Sequence, residues 1–264
     1  MSLFSGTRSE WVADHNQRVY QRHSYKSEAR DLTAAEAAIF LRYANWIDGK
    51  AILDLGVGAG RITAFLLPRA GSYTGLDYSL RAVAACRARF PEADIQYGDA
   101  RDLSRFREES FDFILFACNG IDAVAHNDRL QILREMRRVL HPGGLLAFSS
   151  HDLDAVRQDT LRKQVFRSSL LKRPRQLLNP VRLATAATRL MRRLYNRSRM
   201  RGKQVPGAGY ALLNDSGMEF ACMHYYITPQ VQHRQLRMMG FAGPIDTCDD
   251  GGNSRYYVVR KSSC

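Results

Sequence analysis

Three glycines at alternate positions, Gly56, Gly58 and Gly60, directly follow the apolar run Ala51–Leu55. Residues 61–67 then have the apolar spacing of a helix. A buried strand, a glycine turn and a helix in this order form the nucleotide-binding corner of doubly wound α/β folds. Dinucleotide-binding turns have the spacing Gly-x-Gly-x-x-Gly, whereas this turn is Gly-x-Gly-x-Gly. The turn therefore predicts a nucleotide-type site that differs from a dinucleotide site.

Three carboxylates accompany the predicted strands. Asp54 lies two positions before the first glycine. Asp77 ends a second run, Ser72–Asp77, roughly twenty residues after the glycines, where a Rossmann-type fold places a carboxylate on a ribose. Asp99 follows a short third run, Asp94–Tyr97. Carboxylates at these positions favour a ligand that carries hydroxyl or amino groups.

Five predicted strands alternate with helices, and two more complete the pattern near the C-terminus. The strands are residues 51–55, 72–77, 94–97, 111–117, 145–149, 241–247 and 256–260. Alternating strands and helices are typical of a parallel sheet covered by helices. We therefore expect an α/β fold, a Rossmann-like, doubly wound, mostly parallel sheet of seven strands.

Local signals mark where the helices begin and end. Thr33 is suited to an N-cap, and Glu36 three residues later completes a capping box. The pair Asn127-Asp128 could cap a helix over residues 129–140. The sequence Pro-Gly-Gly at residues 142–144 predicts a turn before the fifth strand.

The formal net charge of +13 comes from one segment. Residues 155–205 contain fifteen lysines and arginines and a single acid, Asp159, whereas the rest of the chain is close to neutral. Within this segment Asn179-Pro180 can begin a helix. An apolar stripe at helical spacing, surrounded by arginines, consists of Leu183, Ala187, Leu190, Met191 and Leu194. The sequence therefore predicts a basic helical insertion after the fifth strand.

These patterns divide the chain into three parts. Residues 1–47 are expected to form an N-terminal helical cap, and residues 48–152 with 218–264 the Rossmann-like core. Residues 153–217 are expected to form the basic helical lid.

Composition excludes several classes of protein. No run of about 18 apolar residues is present, so we expect no membrane-spanning helix. The N-terminus lacks a charged region followed by an apolar core, so no secretory signal is expected. The five cysteines are scattered and show no metal-ligand spacing. These features predict reduced thiols, no metal site and a cytoplasmic location.

Five ordered motifs carry a resemblance to a known family. They are LDLGVGAG at 53–60, GLDYS at 75–79, GDA at 98–100, FDFI at 111–114 and LHPGG at 140–144. With these motifs the chain resembles the class I S-adenosylmethionine-dependent methyltransferases, and among them the small-molecule type. The resemblance covers roughly residues 45–152. It implies S-adenosylmethionine as methyl donor and S-adenosylhomocysteine as product.

The resemblance also implies roles for individual residues. The glycine turn would let the backbone approach the methionine part of the cofactor, and Asp54 would help neutralise its amino group. Asp77 would bind the ribose hydroxyls, and Tyr20 and Tyr25 lie in a segment that folds over the cofactor in similar enzymes. The expected cofactor site consists of Asp54, Gly56, Gly58, Gly60, Asp77, Tyr78, Asp99, Ala100, Cys118 and Tyr25.

Methyl transfer needs alignment of the acceptor, exclusion of water and, for an oxygen or nitrogen acceptor, a general base. His151 directly follows the fifth strand and His126 follows the loop after the fourth, so both are candidate bases. His224 and Tyr225 approach from the C-terminal part. Each histidine could instead form a structural hydrogen bond. We expect Cys118 to line the site and not to act as a nucleophile, because no pattern favours a thiolate there.

The basic insertion leaves four interpretations open. Its arginines could hold an anionic substrate, its amphipathic helix could bind a membrane surface or a lipid-linked acceptor, or it could contact nucleic acid. It could also be a solvated basic face whose apolar stripe packs on the core. Residues 117–120 lack the Asn/Asp-Pro-Pro-aromatic signature associated with methylation of base amino groups, which argues against nucleic acid.

We therefore predict a methyltransferase that acts on an oxygen or nitrogen of a small acceptor, either anionic or glycan-like. Two alternatives remain. One is an RNA methyltransferase that uses the insertion as a clamp, and the other is a non-catalytic cofactor-binding protein that docks on a membrane or a partner. The oligomeric state is not predicted.

Overall fold

The computed structural model describes residues 11–22, 31–158 and 180–262. The helices are α1 Trp11–Gln21, α2 Ala34–Arg42, α3 Thr63–Leu66, α4 Leu80–Arg89, α5 His126–Val139, α6 Leu153–Gln158, α7 Pro180–Arg201 and α8 Pro229–Met238. The strands are β1 Ala51–Leu55, β2 Ser72–Asp77, β3 Asp94–Tyr97, β4 Phe111–Phe116, β5 Leu140–Asp152, β6 Val205–Pro206, β7 Tyr210–Leu213, β8 His224–Ile227, β9 Asp246–Asp249 and β10 Ser254–Arg260.

Seven of these strands form the expected doubly wound sheet. β3, β2, β1, β4 and β5 are neighbours in that order and run parallel. β10 is antiparallel to β5, and β9 is antiparallel to β10. The Rossmann-like fold class is confirmed, and the carboxyl ends of β1 to β4 lie at one edge, where α/β folds bind ligands.

Among the described residues the sheet has ten strands, three more than expected. β5 continues to Asp152 because His151 and Asp152 pair with Tyr226 and Ile227 of β8. β7 is antiparallel to β8, and β6 is antiparallel to β7. Residues 205–213, which the sequence assigned to the lid, are therefore part of the sheet. The short strands have little apolar alternation of their own, which is why the pattern did not predict them.

Three local predictions can be compared with the structure. The capping box is confirmed, since Thr33 and Glu36 exchange side-chain and backbone hydrogen bonds. α5 begins at His126 with Ala125 at the N-cap, so the prediction of an Asn127-Asp128 cap is wrong. Residues 142–144 lie inside β5 and not in a separate turn, because the irregular pairing of β4 with β5 accommodates them.

Alternating side chains give the sheet two buried faces. Leu53 and Leu55 belong to the apolar cluster that α5 and α8 complete. Ile52 belongs to the cluster on the other face, which α2, α3 and α4 complete. Helices on both faces hold the strand ends rigidly at the ligand-binding edge. In the part of the chain that is described, no helix has the length and apolar character needed to cross a membrane.

Candidate active site

A cavity of about 270 Å³ opens at the carboxyl ends of β1 to β4. Its walls come mainly from residues 55–59, 76–78, 98–100 and 116–118, with Tyr20, Arg61, Gly120, Ala123, Val124 and Ile132. Each of the first four segments directly follows or ends a strand. The sheet therefore brings together the motifs that lie far apart in the sequence.

The glycine turn and Asp77 form one rigid unit in this cavity. Gly56 and Gly58 have φ of 70° and 56°, a backbone conformation that favours glycine. Asp77 is buried, and its two carboxylate oxygens accept hydrogen bonds from the backbone N–H groups of Gly58 (2.9 Å) and Ser79 (2.8 Å). Burial raises the pKa of Asp77, and the two N–H donors oppose that rise. The carboxylate is thus fixed beside the turn with lone pairs available for a further donor.

Gly60 and Asp54 are not among the residues that line this cavity. A Cβ at Gly60 would lie 2.6 Å from the Phe90 ring, so this glycine lets the turn pack against the end of α4. Asp54 accepts a hydrogen bond from the Tyr73 hydroxyl at 2.7 Å, and Tyr73 contacts Thr63 at 2.8 Å. Burial raises the pKa of Asp54 to about 7. Both residues shape the turn from outside the cavity.

α1 covers the cavity from the N-terminal side. Gln17 and Gln21 donate hydrogen bonds to the backbone carbonyl of Tyr78 at 3.1 and 2.9 Å. Tyr20 lies on the same helix and also lines the cavity, with its ring centroid 6.0 Å from that of Tyr78. The expected proximity of Tyr20 and Tyr78 to the ligand site is therefore seen, whereas Tyr25 lies outside the described residues.

Asp99 and Ala100 line the cavity at the end of β3. Arg101 forms an ion pair with Asp99 at 2.8 Å, and it also reaches Asp128 at 3.3 Å. Its backbone N–H donates to Asp99 at 2.8 Å. These contacts fix the direction of the Asp99 carboxylate and leave the neighbouring Ala100 backbone beside the cavity.

Arg61 connects the cavity wall to two distant elements, and sequence reasoning missed it. Its guanidinium forms a bidentate ion pair with buried Glu36 of α2, at 2.6 and 2.7 Å. The same group donates to the Sγ atom of Cys118 at 3.1 Å. Desolvation raises the pKa of Cys118, and Arg61 opposes the rise, which is consistent with a lining thiol. The position of Arg61 next to Gly60 was the signal that could have identified it.

A histidine–carboxylate pair lies at the ends of β4 and β5. The Nδ1 atom of His151 is 2.9 Å from the Oδ2 atom of Asp122, which also accepts from the His151 backbone N–H. Asp122 is fully buried between Arg129, which forms an ion pair with it, and Ser150, which donates at 3.0 Å. The Nε2 atom of His151 is therefore the ring nitrogen that remains for a ligand. Asp122 had no distinguishing sequence signal.

A second pair adjoins the first. The Nδ1 atom of His224 is 2.8 Å from Asp215, which also accepts from the Tyr226 hydroxyl at 2.6 Å. The Nε2 atom of His224 is 3.3 Å from the hydroxyl of Tyr20, the residue that lines the cavity. Burial opposes protonation of His224, but Asp215 outweighs it and holds the pKa of His224 above its ordinary value.

The two histidine rings lie 5.4 Å apart, and the His151 ring is 4.6 Å from Tyr226. His151 and His224 thus form one polar group, supported from β4, β5 and β8. Neither histidine is among the residues that line the cavity, and the hydroxyl of Tyr20, which does line it, connects His224 to the cavity. Asp215 was missed because it lies in the segment that the sequence assigned to the lid.

His126 has a different environment. Its Nδ1 atom is 2.7 Å from the Tyr225 hydroxyl, and its ring stacks on Tyr210 with centroids 4.4 Å apart. Burial lowers the pKa of His126, and Arg129 lowers it further. These contacts are those of a packed aromatic cluster at the start of α5. His126 does not line the cavity.

α7 is the helix of the basic insertion, and none of its described side chains lines this cavity. Within the described ranges no group of histidine, cysteine and acidic side chains is arranged to hold a metal ion.

Residues 52–144 match a family model described as a methyltransferase domain. A probable phthiotriol/phenolphthiotriol dimycocerosates methyltransferase 2 of Mycobacterium ulcerans is 35% identical over 108 residues, covering 39% of this chain and 40% of that relative. A fatty-acid O-methyltransferase of Mycolicibacterium smegmatis is 32% identical over 108 residues, covering 39% and 38%. The chain thus spans about two fifths of the length of these curated relatives.

The fold is shared over a longer stretch. The 1,6-didemethyltoxoflavin-N1-methyltransferase of Burkholderia thailandensis, crystallised with its acceptor and S-adenosylhomocysteine, superposes with a TM-score of 0.59 at 14% identity. The superposition covers 99% of this chain and 93% of that structure. At this identity the similarity concerns the fold alone.

Proposed function

We propose that this chain binds S-adenosylmethionine and transfers the methyl group to a small acceptor, as a class I S-adenosylmethionine-dependent methyltransferase. The match of residues 52–144 to a methyltransferase-domain model supports the proposal. One observation carries the proposal. Gly56, Gly58, Asp77 and Asp99 come from three separate motifs, Cys118 follows β4, and all five residues line one cavity.

The residues of the cavity fit this cofactor. The left-handed backbone at Gly56 and Gly58 leaves room for close approach of an amino-acid moiety. Asp77 is a fixed acceptor for vicinal hydroxyls, and Tyr78 supplies an aromatic ring for an adenine. When bound, S-adenosylmethionine supplies a methyl group already activated by a sulfonium.

The chain then has to align the acceptor, exclude water and remove a proton. We assign the proton removal to His151. Its Nδ1 atom is held by Asp122 at 2.9 Å, so the neutral ring presents the Nε2 atom as the base. His224 serves as a positioning residue, because its ion pair with Asp215 and its contact with Tyr20 join β8 to the cover of the cavity.

For the acceptor we propose an anionic amphiphile methylated on a hydroxyl oxygen, because a hydroxyl carries the proton that His151 would remove, whereas an ionised carboxylate has none to lose. One relative is named for a fatty acid and the other for a dimycocerosate lipid, which supports an amphiphilic acceptor. This choice keeps the anionic acceptor expected from the sequence, with a long-chain hydroxy fatty acid as its simplest representative.

Calorimetry with S-adenosylmethionine and S-adenosylhomocysteine tests the cofactor site. Wild-type protein should bind both, and Asp77→Ala should weaken binding at least tenfold, since it removes the fixed acceptor. His151→Asn is the control and should bind within about threefold of wild type, which is under 1 kcal/mol. Thermal melts establish that each variant is folded. No binding of either ligand by folded wild type would contradict the proposal.

Transfer of a labelled methyl group then tests the base and the acceptor. A long-chain hydroxy fatty acid should be labelled on its hydroxyl by wild type and at least a hundredfold more slowly by His151→Asn, as expected for loss of a general base. A neutral oligosaccharide is the comparison acceptor. Labelling of the oligosaccharide alone would refute the anionic acceptor, and equal rates for the two proteins would refute the role of His151.

A further inference from the structure

An amphipathic helix usually packs its apolar face against the protein, whereas α7 packs a mainly polar face against it. Met200 is buried in a cluster with Val12, Leu212 and Met223. Asn196 donates to the backbone carbonyl of Glu219 at 3.0 Å. The contacting side is therefore polar or cationic along most of its length.

Arginines complete this contacting side. The guanidinium of Arg193 lies 5.4 Å from the Phe220 ring centroid, and Arg189 reaches Glu219 at 3.9 Å. Positions 189, 193, 196 and 200 recur every three or four residues and form one stripe of the helix.

The apolar stripe lies on the opposite side, in contact with solvent. Leu190, Met191, Leu194 and Tyr195 are 44%, 67%, 46% and 65% exposed. At about 100° per residue their mean direction is roughly opposite to that of the contacting stripe. The interpretation in which the predicted apolar stripe packs on the core is therefore wrong for Leu190, Met191 and Leu194, and Tyr195 extends the exposed apolar face beyond that stripe. Exposed clusters of large apolar side chains mark interaction sites.

Basic residues border the apolar stripe. No acidic residue occurs between Pro180 and Val205, and Arg192 and Arg199 follow the edge next to Tyr195. A groove of about 390 Å³ between α1 and α7 lies on this edge, lined by His15, Arg18, Val19, Arg22, Asn196 and Arg199. Within the described ranges no acidic side chain pairs with the three arginines of this groove.

We propose that α7, together with the α1 groove, is a docking surface for an anionic lipid bilayer. An apolar face directed outward and flanked by arginines is the arrangement of helices that lie in the membrane interface. The apolar side chains would enter the acyl boundary, and the arginines would meet lipid phosphates. This inference is independent of the proposed methyl transfer, since none of these side chains lines the cavity.

Vesicle co-sedimentation tests the proposal with the full chain. Wild-type protein should bind vesicles of phosphatidylcholine with phosphatidylglycerol, and should bind phosphatidylcholine alone much less, because the arginines need an anionic partner. The triple variant Leu190→Ser, Met191→Ser and Leu194→Ser should weaken binding at least tenfold. Arg22→Gln with Arg199→Gln should weaken it severalfold and reduce its dependence on salt.

Matched controls are available on the same chain. Met238 is as exposed as Met191, at 67%, but lies on α8, so Met238→Ser should bind vesicles like wild type. Arg81→Gln with Arg107→Gln removes two exposed arginines elsewhere and should also have little effect. Unchanged binding of S-adenosylhomocysteine by every variant separates this test from that of the cofactor site.

Three results would overturn the proposal. The first is equal vesicle binding by the triple variant and by Met238→Ser. The second is binding of RNA that depends on the arginines and not on the apolar residues, which would identify a nucleic-acid surface. The third is a stable dimer without vesicles that Met191→Ser dissociates, which would assign the apolar face to a second copy of the chain.

Discussion

Asp54 shows how the fold changes the chemistry of a residue that the sequence singled out. It is buried, and the Tyr73 hydroxyl is its hydrogen-bond partner at 2.7 Å. Burial raises its pKa to about 7, although the Tyr73 hydrogen bond acts in the opposite direction. The folded protein therefore holds the proton of Asp54 more tightly than the unfolded chain does.

The raised pKa of Asp54 predicts that the stability of the fold depends on pH. The stabilisation from the bound proton is complete below about pH 3.9, the pKa of an aspartate in the unfolded chain, and is lost as the pH rises through about 7, the pKa of Asp54 in the folded protein. The amide in the variant Asp54→Asn does not titrate, so the variant does not lose this stabilisation. The free energy of unfolding of the variant minus that of wild type should therefore rise by about 4 kcal/mol between pH 4 and pH 8. Urea unfolding at several pH values measures it, with exposed Glu92→Gln as control. Parallel curves for wild type and Asp54→Asn would contradict the buried proton.

His224 provides a second test at the same scale. Burial alone would lower its pKa, and Asp215 outweighs that effect and raises it. NMR titration should therefore place the pKa of His224 above 6.5 in wild type and at a lower value in Asp215→Asn, where Asp122 alone opposes the effect of burial. The exposed substitution Glu92→Gln is the control and should leave the pKa of His224 as in wild type. A His224 pKa unaffected by Asp215→Asn would mean that the pair does not form.

At the scale of elements, Glu36 joins three parts of the fold. It completes the capping box of α2 with Thr33, and it pairs with Arg61 behind the glycine turn. The Tyr256 hydroxyl of β10 donates to it at 2.8 Å. Burial opposes ionisation of Glu36, but these hydrogen bonds outweigh it and leave its pKa below the ordinary value. The Glu36 carboxylate therefore connects α2 both to Arg61 in the cavity wall and to β10.

Glu36→Gln should cost about 2–3 kcal/mol of unfolding free energy, because it leaves Arg61 half-buried without its charge partner. The control is Asp48→Asn, whose carboxylate pairs with Arg69 at the same 2.6 Å but at the surface, and it should change stability little. Urea unfolding midpoints with equal m-values compare the two. Equal losses would show that burial does not distinguish these ion pairs.

In the molecule as a whole, the excess positive charge and the residues of the cavity lie in different segments of the chain. The motifs of the cavity lie in the near-neutral part of the chain, whereas the basic excess lies in residues 155–205. β8 connects the two, since it carries His224 beside the cavity and belongs to the extension on which α7 packs. The described chain therefore has the cavity proposed for methyl transfer at one sheet edge and a helix with cationic and apolar faces beside it.

The order and periodicity of the residues predicted the fold class, the glycine turn and most of the cavity lining. Strand–helix alternation specifies a parallel sheet, and a parallel sheet brings its strand ends to one edge. For that reason Gly56, Asp77, Tyr78 and Asp99 could be identified from their order along the chain. The capping box at Thr33 was equally predictable, because its partners lie three residues apart.

The contacts between polar residues of different elements follow from the packing of the fold and could not be predicted from the sequence. Asp122, Asp215 and Arg61 reach their partners across separate elements, and no local spacing encodes such contacts. The orientation of α7 was also not predictable. Its sequence pattern showed an apolar stripe but did not show whether that stripe faces the protein or the solvent. Periodicity specifies that a face exists, whereas packing against Met223 and Phe220 determines which face is covered.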